Sequence, residues 1–209
     1  MTQVQLGPTS HRLRVVVLLS GAGSTARAVL DAADGTAPFE VVAVVADRPA
    51  EGLDHAATRG LPTALVAPAD HTDRAAWDAA LAQVVAVHRP DLVLSAGFMR
   101  LLGPAFLERW GGLTLNCHPA LLPSFPGAHG VRDALEHGVA VTGCTLHLVD
   151  AGTDTGPILD QRAVRVEPGD DEATLHERIK VAERELLVTT LTRIATGGVT
   201  LHDRKATWA

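Results

Sequence analysis

An α/β fold built on a mostly parallel sheet is predicted by three features of this 209-residue chain. Continuous Val/Leu/Ala runs, such as LRVVVLLS at 13–20 and FEVVAVVA at 39–46, have strand length and no polar alternation. Strands of that kind are covered on both faces, as in a parallel sheet lined by helices. Helical patterns separate the runs, so strand and helix alternate through right-handed crossovers. A glycine turn, Ser20-Gly21-Ala22-Gly23, follows the first run and opens a helix.

Residues 1–12 are polar and broken by Gly and Pro, which predicts a disordered tail ahead of a single domain at 13–202; 203–209 are expected to be a second tail. The strand at 13–20 leads through the glycine turn to a helix ending near Ala33, then to the strand at 39–46 and a weaker one, PTALVA, at 62–67. A helix from about Thr72 to His88 precedes the strand DLVLSA at 91–96. Pro104 suits the first turn of a short helix, and the next strand ends at Asn116. Beyond His118 the pattern changes: 141–149 and 157–167 read as sheet extensions with an antiparallel member. From about Glu172 to Ala195, Leu175, Ile179, Ala182, Leu186 and Ile194 share one helical face. The sum is a Rossmann-like, mostly parallel sheet with helices on both faces, an antiparallel C-terminal extension and a long helix. No repeat, low-complexity stretch or linker divides it.

Composition narrows the function. The chain is 46% hydrophobic, yet no apolar run approaches the ~20 residues of a membrane span. The polar start and the lack of an A-x-A-like site argue against a signal peptide, so a cytoplasmic protein is expected. Cys117 and Cys144 lie in strand-like runs and read as reduced core thiols. A net charge of −6 and 3% aromatics disfavour nucleic acid as a partner. Small molecules are the expected partners of a monomer or homodimer. Ten histidines raise the question of zinc, but H-E-x-x-H and C-x-x-C are absent, so no metal is expected.

The most informative stretch is LTLNCHPALLPSFPGAHG, 113–130. Residues two apart in a strand share a face, so Asn116 and His118 project together. An amide beside an imidazole can hold an oxyanion and move a proton. Equally, the pair can be a turn Asn beside a solvated His. A second segment, VTGCTLHLVDAGTDTGPILDQ, carries Asp154 on a Gly/Thr/Asp loop. Such a carboxylate can reach a distant histidine and fix its tautomer, or can simply serve the turn. Together the three residues compose an acyl-transfer site without a covalent nucleophile. The glycine turn offers helix N-terminal N–H groups to an anion, or only a tight turn. It also fits G-x-G-x-x-A with Asp47 ending the second strand, which keeps open an NAD-dependent oxidoreductase.

Over about Leu13 to Leu201, NCHPALLPSFPGAHG followed by HLVDAGTDTGPI resembles the folate-dependent formyltransferases. The resemblance implies that the formyl group of 10-formyltetrahydrofolate, a co-substrate, passes to the amine of 5-phosphoribosylglycinamide in purine (IMP) synthesis, with Asn116, His118 and Asp154 catalytic. It implies a ribonucleotide site at Gly23, Ser24, Thr25, Ala26 and Arg27, joined by Lys180, Val181, Ala182 and Glu183. The folate would meet Arg74, Met99, Arg100, Leu101, Leu102, Asn116 and the loop Asp150, Ala151, Gly152, Thr153 and Asp154. His129 and His147 also match family histidines. Thr25 departs from the Asn commonest in the family, which puts one side-chain contact in doubt but not the backbone donors. Without the resemblance, Met99 and Leu101 would read as core, Arg100 as a surface charge, Arg74 as a solvated helix residue, and Lys180 and Glu183 as an exposed i,i+3 pair. His147, alternating with apolar neighbours, reads as a core histidine or one placed behind the site.

The implied chemistry is direct attack by the amine. Asn116 and protonated His118 hold the oxyanion, and Asp154 raises the histidine pKa and helps remove the amine proton through a water. A formyltetrahydrofolate hydrolase is the nearest alternative; an N-terminal regulatory domain would be expected, whereas the first strand begins near residue 13. A tRNA formyltransferase would be expected to carry a further C-terminal domain and a basic surface. A folate-binding module without catalysis would not need His118 and Asp154 together.

Overall fold

The computed structural model describes residues 3–209. Ten strands and six α-helices follow one another along it. In the first half these are β1 (Gln3–Leu6), β2 (Leu13–Leu19), α1 (Ser24–Ala32), β3 (Phe39–Ala46), α2 (Glu51–Ala57), β4 (Thr63–Leu65), α3 (Arg74–Val87) and β5 (Leu92–Ser95). In the second half come α4 (Pro104–Trp110), β6 (Thr114–His118), α5 (Gly130–Glu136), β7 (Val141–Leu148), β8 (Ile158–Arg165), α6 (Glu172–Thr196), β9 (Val199–His202) and β10 (Lys205–Trp208).

The main sheet has seven strands in the order β4-β3-β2-β5-β6-β7-β8. Its first five members are parallel neighbours, and β7 and β8 are antiparallel additions. The apolar runs alternate between two cores. From β2, Val15, Val17 and Leu19 pack with α1, α5 and α6, while Val16 and Leu18 pack with α3 and α4. Both sets are almost wholly buried, which is why these strands show no polar alternation. Strand order reverses between β2 and β5, and in such sheets ligands bind in the crevice beyond the strand ends at that reversal. There the glycine turn meets the loop after β5: Ser20 donates its N–H to Gly97 at 3.1 Å, and Met99 donates to the Ser20 hydroxyl at 2.8 Å.

The termini differ from expectation. Gln3–Leu6 and Lys205–Trp208, read from the sequence as tails, are strands on either side of β9 in a three-stranded antiparallel sheet. Leu6, Val199 and Leu201 are buried in the larger core. Strands of four residues carry little local signal, and it is pairing across almost the whole chain length that makes them.

Candidate active site

Asn116 and His118 sit on one face at the C-terminal end of β6, where the next residue is Pro119. The antiparallel register sets Asn116 opposite His147 and His118 opposite Thr145. Side chains directly opposite in a ladder meet, and the Asn116 amide Nδ2 lies 3.2 Å from His147 Nε2. His147 Nδ1 faces the Leu148 carbonyl at 2.9 Å and must donate to it, so in neutral His147 the Nε2 lone pair receives an Asn116 N–H. The second amide hydrogen of Asn116 has no partner among the described residues.

Asp154 lies between the two histidines. Its Oδ2 is 3.3 Å from His118 Nδ1 and its Oδ1 is 3.5 Å from His147 Nε2. The Gly127 N–H also donates to Oδ2, at 2.8 Å. His118 Nε2 lies 2.7 Å from the Phe125 carbonyl and therefore donates there, which leaves Nδ1 to face the carboxylate. That arrangement suits an imidazolium. Burial of His118 works against the cation, however, and outweighs the help from Asp154 and Phe125, so the histidine pKa falls below its usual value. The expectation of a raised pKa is corrected on this point: Asp154 acts in the expected direction, but desolvation of a side chain only 4% exposed is larger. For Asp154, burial favours the neutral acid, yet His147 when protonated, the Gly127 N–H and the charge that His118 can carry hold its pKa below the usual carboxylate range.

The Pro-rich loop after β6 is stitched to the sheet. The buried Thr145 hydroxyl donates to Ala120 O at 2.7 Å and accepts from Leu122 N at 2.9 Å, and Gln161 Nε2 bonds both Leu122 O and Thr145 Oγ1. This brings Phe125 and Gly127 back over His118. Phe125 and Asp154 both adopt left-handed backbone, with φ of 54°. Such strain in non-glycine residues persists only where the surroundings hold it, and it gathers at functional sites.

At the glycine turn, Gly23 caps α1 with φ of 72°, and no side-chain hydrogen bond caps the helix. A Cβ on Gly23 would stand 2.8 Å from the Gly52 Cα, so only glycine fits. The first N–H groups of α1, from Ser24 to Ala26, have no intrahelical acceptor, as at any helix start, and Arg27 lies in the same turn. On the other side of the crevice, Met99 and Leu101 are 75% and 64% exposed. Arg74 donates to the Leu101 carbonyl and lies over the Trp77 ring, so α3 and the loop after β5 share one wall.

A model of the formyl transferase family matches residues 13–191. This chain belongs to the formyl transferase family. It is 60% identical over 200 residues to a phosphoribosylglycinamide formyltransferase of Mycobacterium tuberculosis (strain ATCC 25618 / H37Rv), spanning 96% of this chain and 93% of the relative. It is 40% identical over 200 residues to the human trifunctional purine biosynthetic protein adenosine-3, covering 94% of this chain and 20% of that protein. Among solved structures, glycinamide ribonucleotide transformylase 1 from Symbiobacterium toebii superposes with a TM-score of 0.92 at 40% identity, over 96% of this chain and 95% of the other.

Several sequence readings change in this formyl transferase. Met99 and Leu101 are exposed rather than core. Arg100 is more than a surface charge, since its Nε donates to the buried Asp47 at 2.9 Å. Asp47 also takes Arg48 and Ser20, which overcome the effect of burial and lower its pKa. It is thus committed inside the protein, and with the family shown the oxidoreductase alternative falls. Lys180 and Glu183 do not pair: Lys180 Nζ binds Glu177 at 2.7 Å. Glu183 is only 7% exposed, and burial pushes its pKa up to about 7 against the charges of Lys180 and Arg184 and a hydrogen bond with Cys117. Cys144, burial and Glu183 in turn hold the Cys117 thiol protonated well above its usual range, as suits the face of β6 turned away from Asn116 and His118. His147 belongs to the site itself, and the signal was its place opposite Asn116, which needs the strand register to be seen. His129 is exposed at the start of α5. Ala151, Gly152 and Thr153 are exposed on the loop before Asp154, while Val181 is exposed and Ala182 half-buried on α6. Among the described residues, no group of three or more His, Cys, Asp and Glu is placed to hold a metal ion, and no helix is long and apolar enough to cross a membrane.

Proposed function

We propose that this formyl transferase is a cytoplasmic enzyme of purine biosynthesis that moves the formyl group of 10-formyltetrahydrofolate to the amine of 5-phosphoribosylglycinamide. The observation that carries the proposal is the convergence of Asn116, His118 and Asp154 at one strand end, in a chain 60% identical to a relative named for that reaction. The ribonucleotide phosphate sits on the N–H groups of Ser24 to Ala26 beside Arg27, with Lys180, Val181, Ala182 and Glu183 along its ribose side. The folate lies along Arg74, Met99, Arg100, Leu101 and Leu102, covered by the loop Asp150 to Asp154. Holding both substrates in adjoining clefts makes the reaction effectively intramolecular.

The amine attacks the formyl carbon directly. Its new C–N bond forms as the carbonyl electrons move to oxygen, and the free Asn116 hydrogen stabilises that oxyanion. Negative charge developing beside His118 adds to Asp154 and favours the imidazolium that burial disfavours in the free enzyme. The amine proton leaves toward Asp154 through a water. His118, or that water, protonates N10, the formyl–N10 bond breaks, and tetrahydrofolate departs. The test is to mix enzyme and 10-formyltetrahydrofolate with and without the ribonucleotide and follow folate absorbance. Turnover is expected only with the ribonucleotide; turnover without it means a hydrolase, and none in either case refutes formyl transfer to this amine.

A further inference from the structure

The loop that delivers Asp154 is held from three directions. Within the loop, the Asp150 carboxylate accepts from Gly152 N–H at 3.0 Å and from the Thr155 hydroxyl at 2.6 Å. From the Pro-rich loop, Gly127 N–H reaches Asp154 itself. The third hold comes from far along the chain. Arg204, in the turn between β9 and β10, donates from Nη1 to the Thr155 carbonyl at 2.6 Å, with Nη2 3.5 Å from the Gly156 carbonyl. Thr155 is the residue next to Asp154.

The hairpin that presents Arg204 is itself anchored. β9 pairs with both β1 and β10, Val199 and Leu201 are buried, and the Arg193 guanidinium of α6 lies 4.1 Å from the Trp208 ring centroid. Arg204, by contrast, is solvent-exposed, and both of its hydrogen bonds among the described residues go to the Asp154 loop. An exposed arginine with those partners contributes little to the core; its effect falls on the loop. Asp154 has left-handed backbone, which needs such support. We propose that Arg204 is a positioning residue: its guanidinium clasps the Thr155–Gly156 backbone and so sets Asp154 between His118 and His147. Any effect on turnover rests on the function proposed above, but the placement of Asp154 does not.

The variants are Arg204→Met, which keeps the aliphatic stem without donors, and Arg204→Gln, which is too short to reach; Arg204→Lys retains one charged donor. In the full-length protein without substrate, NMR titration of His118 should show a lower pKa in the Met and Gln variants, because the carboxylate that favours the cation is no longer fixed beside it. The kcat for formyl transfer should fall about tenfold, as a misplaced group costs rate. The KM for the ribonucleotide should stay within about twofold, and Arg204→Lys should recover part of the loss. An unchanged His118 titration in whichever of the Met and Gln variants folds would overturn the proposal, and a lowered melting temperature with unaltered titration and kcat would mark a structural role only. A wild-type enzyme inactive in formyl transfer would defeat the functional reading while the titration still decided Arg204.

Discussion

Asn116 keeps one amide hydrogen engaged by His147 and one to give, so its removal should strike the oxyanion rather than the fold. Asn116→Ala is expected to lower kcat by on the order of 10²–10³-fold with much smaller changes in substrate binding. Equal losses in binding and turnover, measured by steady-state kinetics and substrate titration, would make Asn116 a ground-state contact. For Asp154 the electrostatics give a direction. Asp154→Asn removes the charge that opposes desolvation of His118, so a histidine pKa already below its usual value should fall further. The double change with His118→Ala should cost little more than the worse single change, because groups acting as a unit are not additive. Fully additive rate losses, or an unmoved His118 titration, would separate the two residues.

At the scale of elements, the Thr145 hydroxyl makes two of the bonds that hold the Pro-rich loop to the sheet. Thr145→Val keeps the volume but leaves Leu122 N–H without its acceptor and Ala120 O without its donor in a buried place. Each such group costs about 1–3 kcal/mol, so a loss of roughly 2–6 kcal/mol in denaturant unfolding is expected. Activity should fall as well, since Phe125 and Gly127 lose their place over His118 and Asp154. A variant as stable and active as the parent would show that the loop holds its shape without this bond. Much at this scale was legible in the sequence. The runs at 13–20 and 39–46 became β2 and β3 within a residue because burial on both faces writes itself into composition. α2 and α5, seven residues each, were not foreseen: like α4 they are too short to show a period, and unlike α4 they lack a proline in the first turn to mark their start.

For the whole molecule, pH links the buried groups to stability. Glu183 has its folded pKa raised from 4.5 to about 7 by burial. The folded state therefore keeps a proton that the unfolded chain has released, and stability falls as pH rises between those values. The penalty reaches about 3 kcal/mol above pH 7. A Gln carries no such charge, so Glu183→Gln should gain stability relative to the parent between pH 5 and pH 8, by several degrees of melting temperature. A constant difference across that range would mean that Glu183 is charged in the fold throughout. His118 and Asp154 act at lower pH. The lowered His118 pKa means stability is lost as pH falls below about 6.5, and the lowered Asp154 pKa means a further loss below about 3.8.

The strand–helix alternation, the parallel sheet, the glycine turn at the head of α1, and the candidacy of Asn116, His118 and Asp154 could all be read along the chain. These rest on local facts: apolar runs, turn chemistry, a two-residue strand repeat and a distinctive motif. The remaining features depend on register and depth. His147 opposite Asn116, Glu183 turned inward beneath Cys117, Arg100 bound to Asp47 and the terminal strands around β9 all join residues distant in sequence. The sign of the His118 shift belongs with them. A neighbouring carboxylate can be guessed from two motifs, but the desolvation that opposes it depends on how much protein surrounds the ring, and only packing decides that.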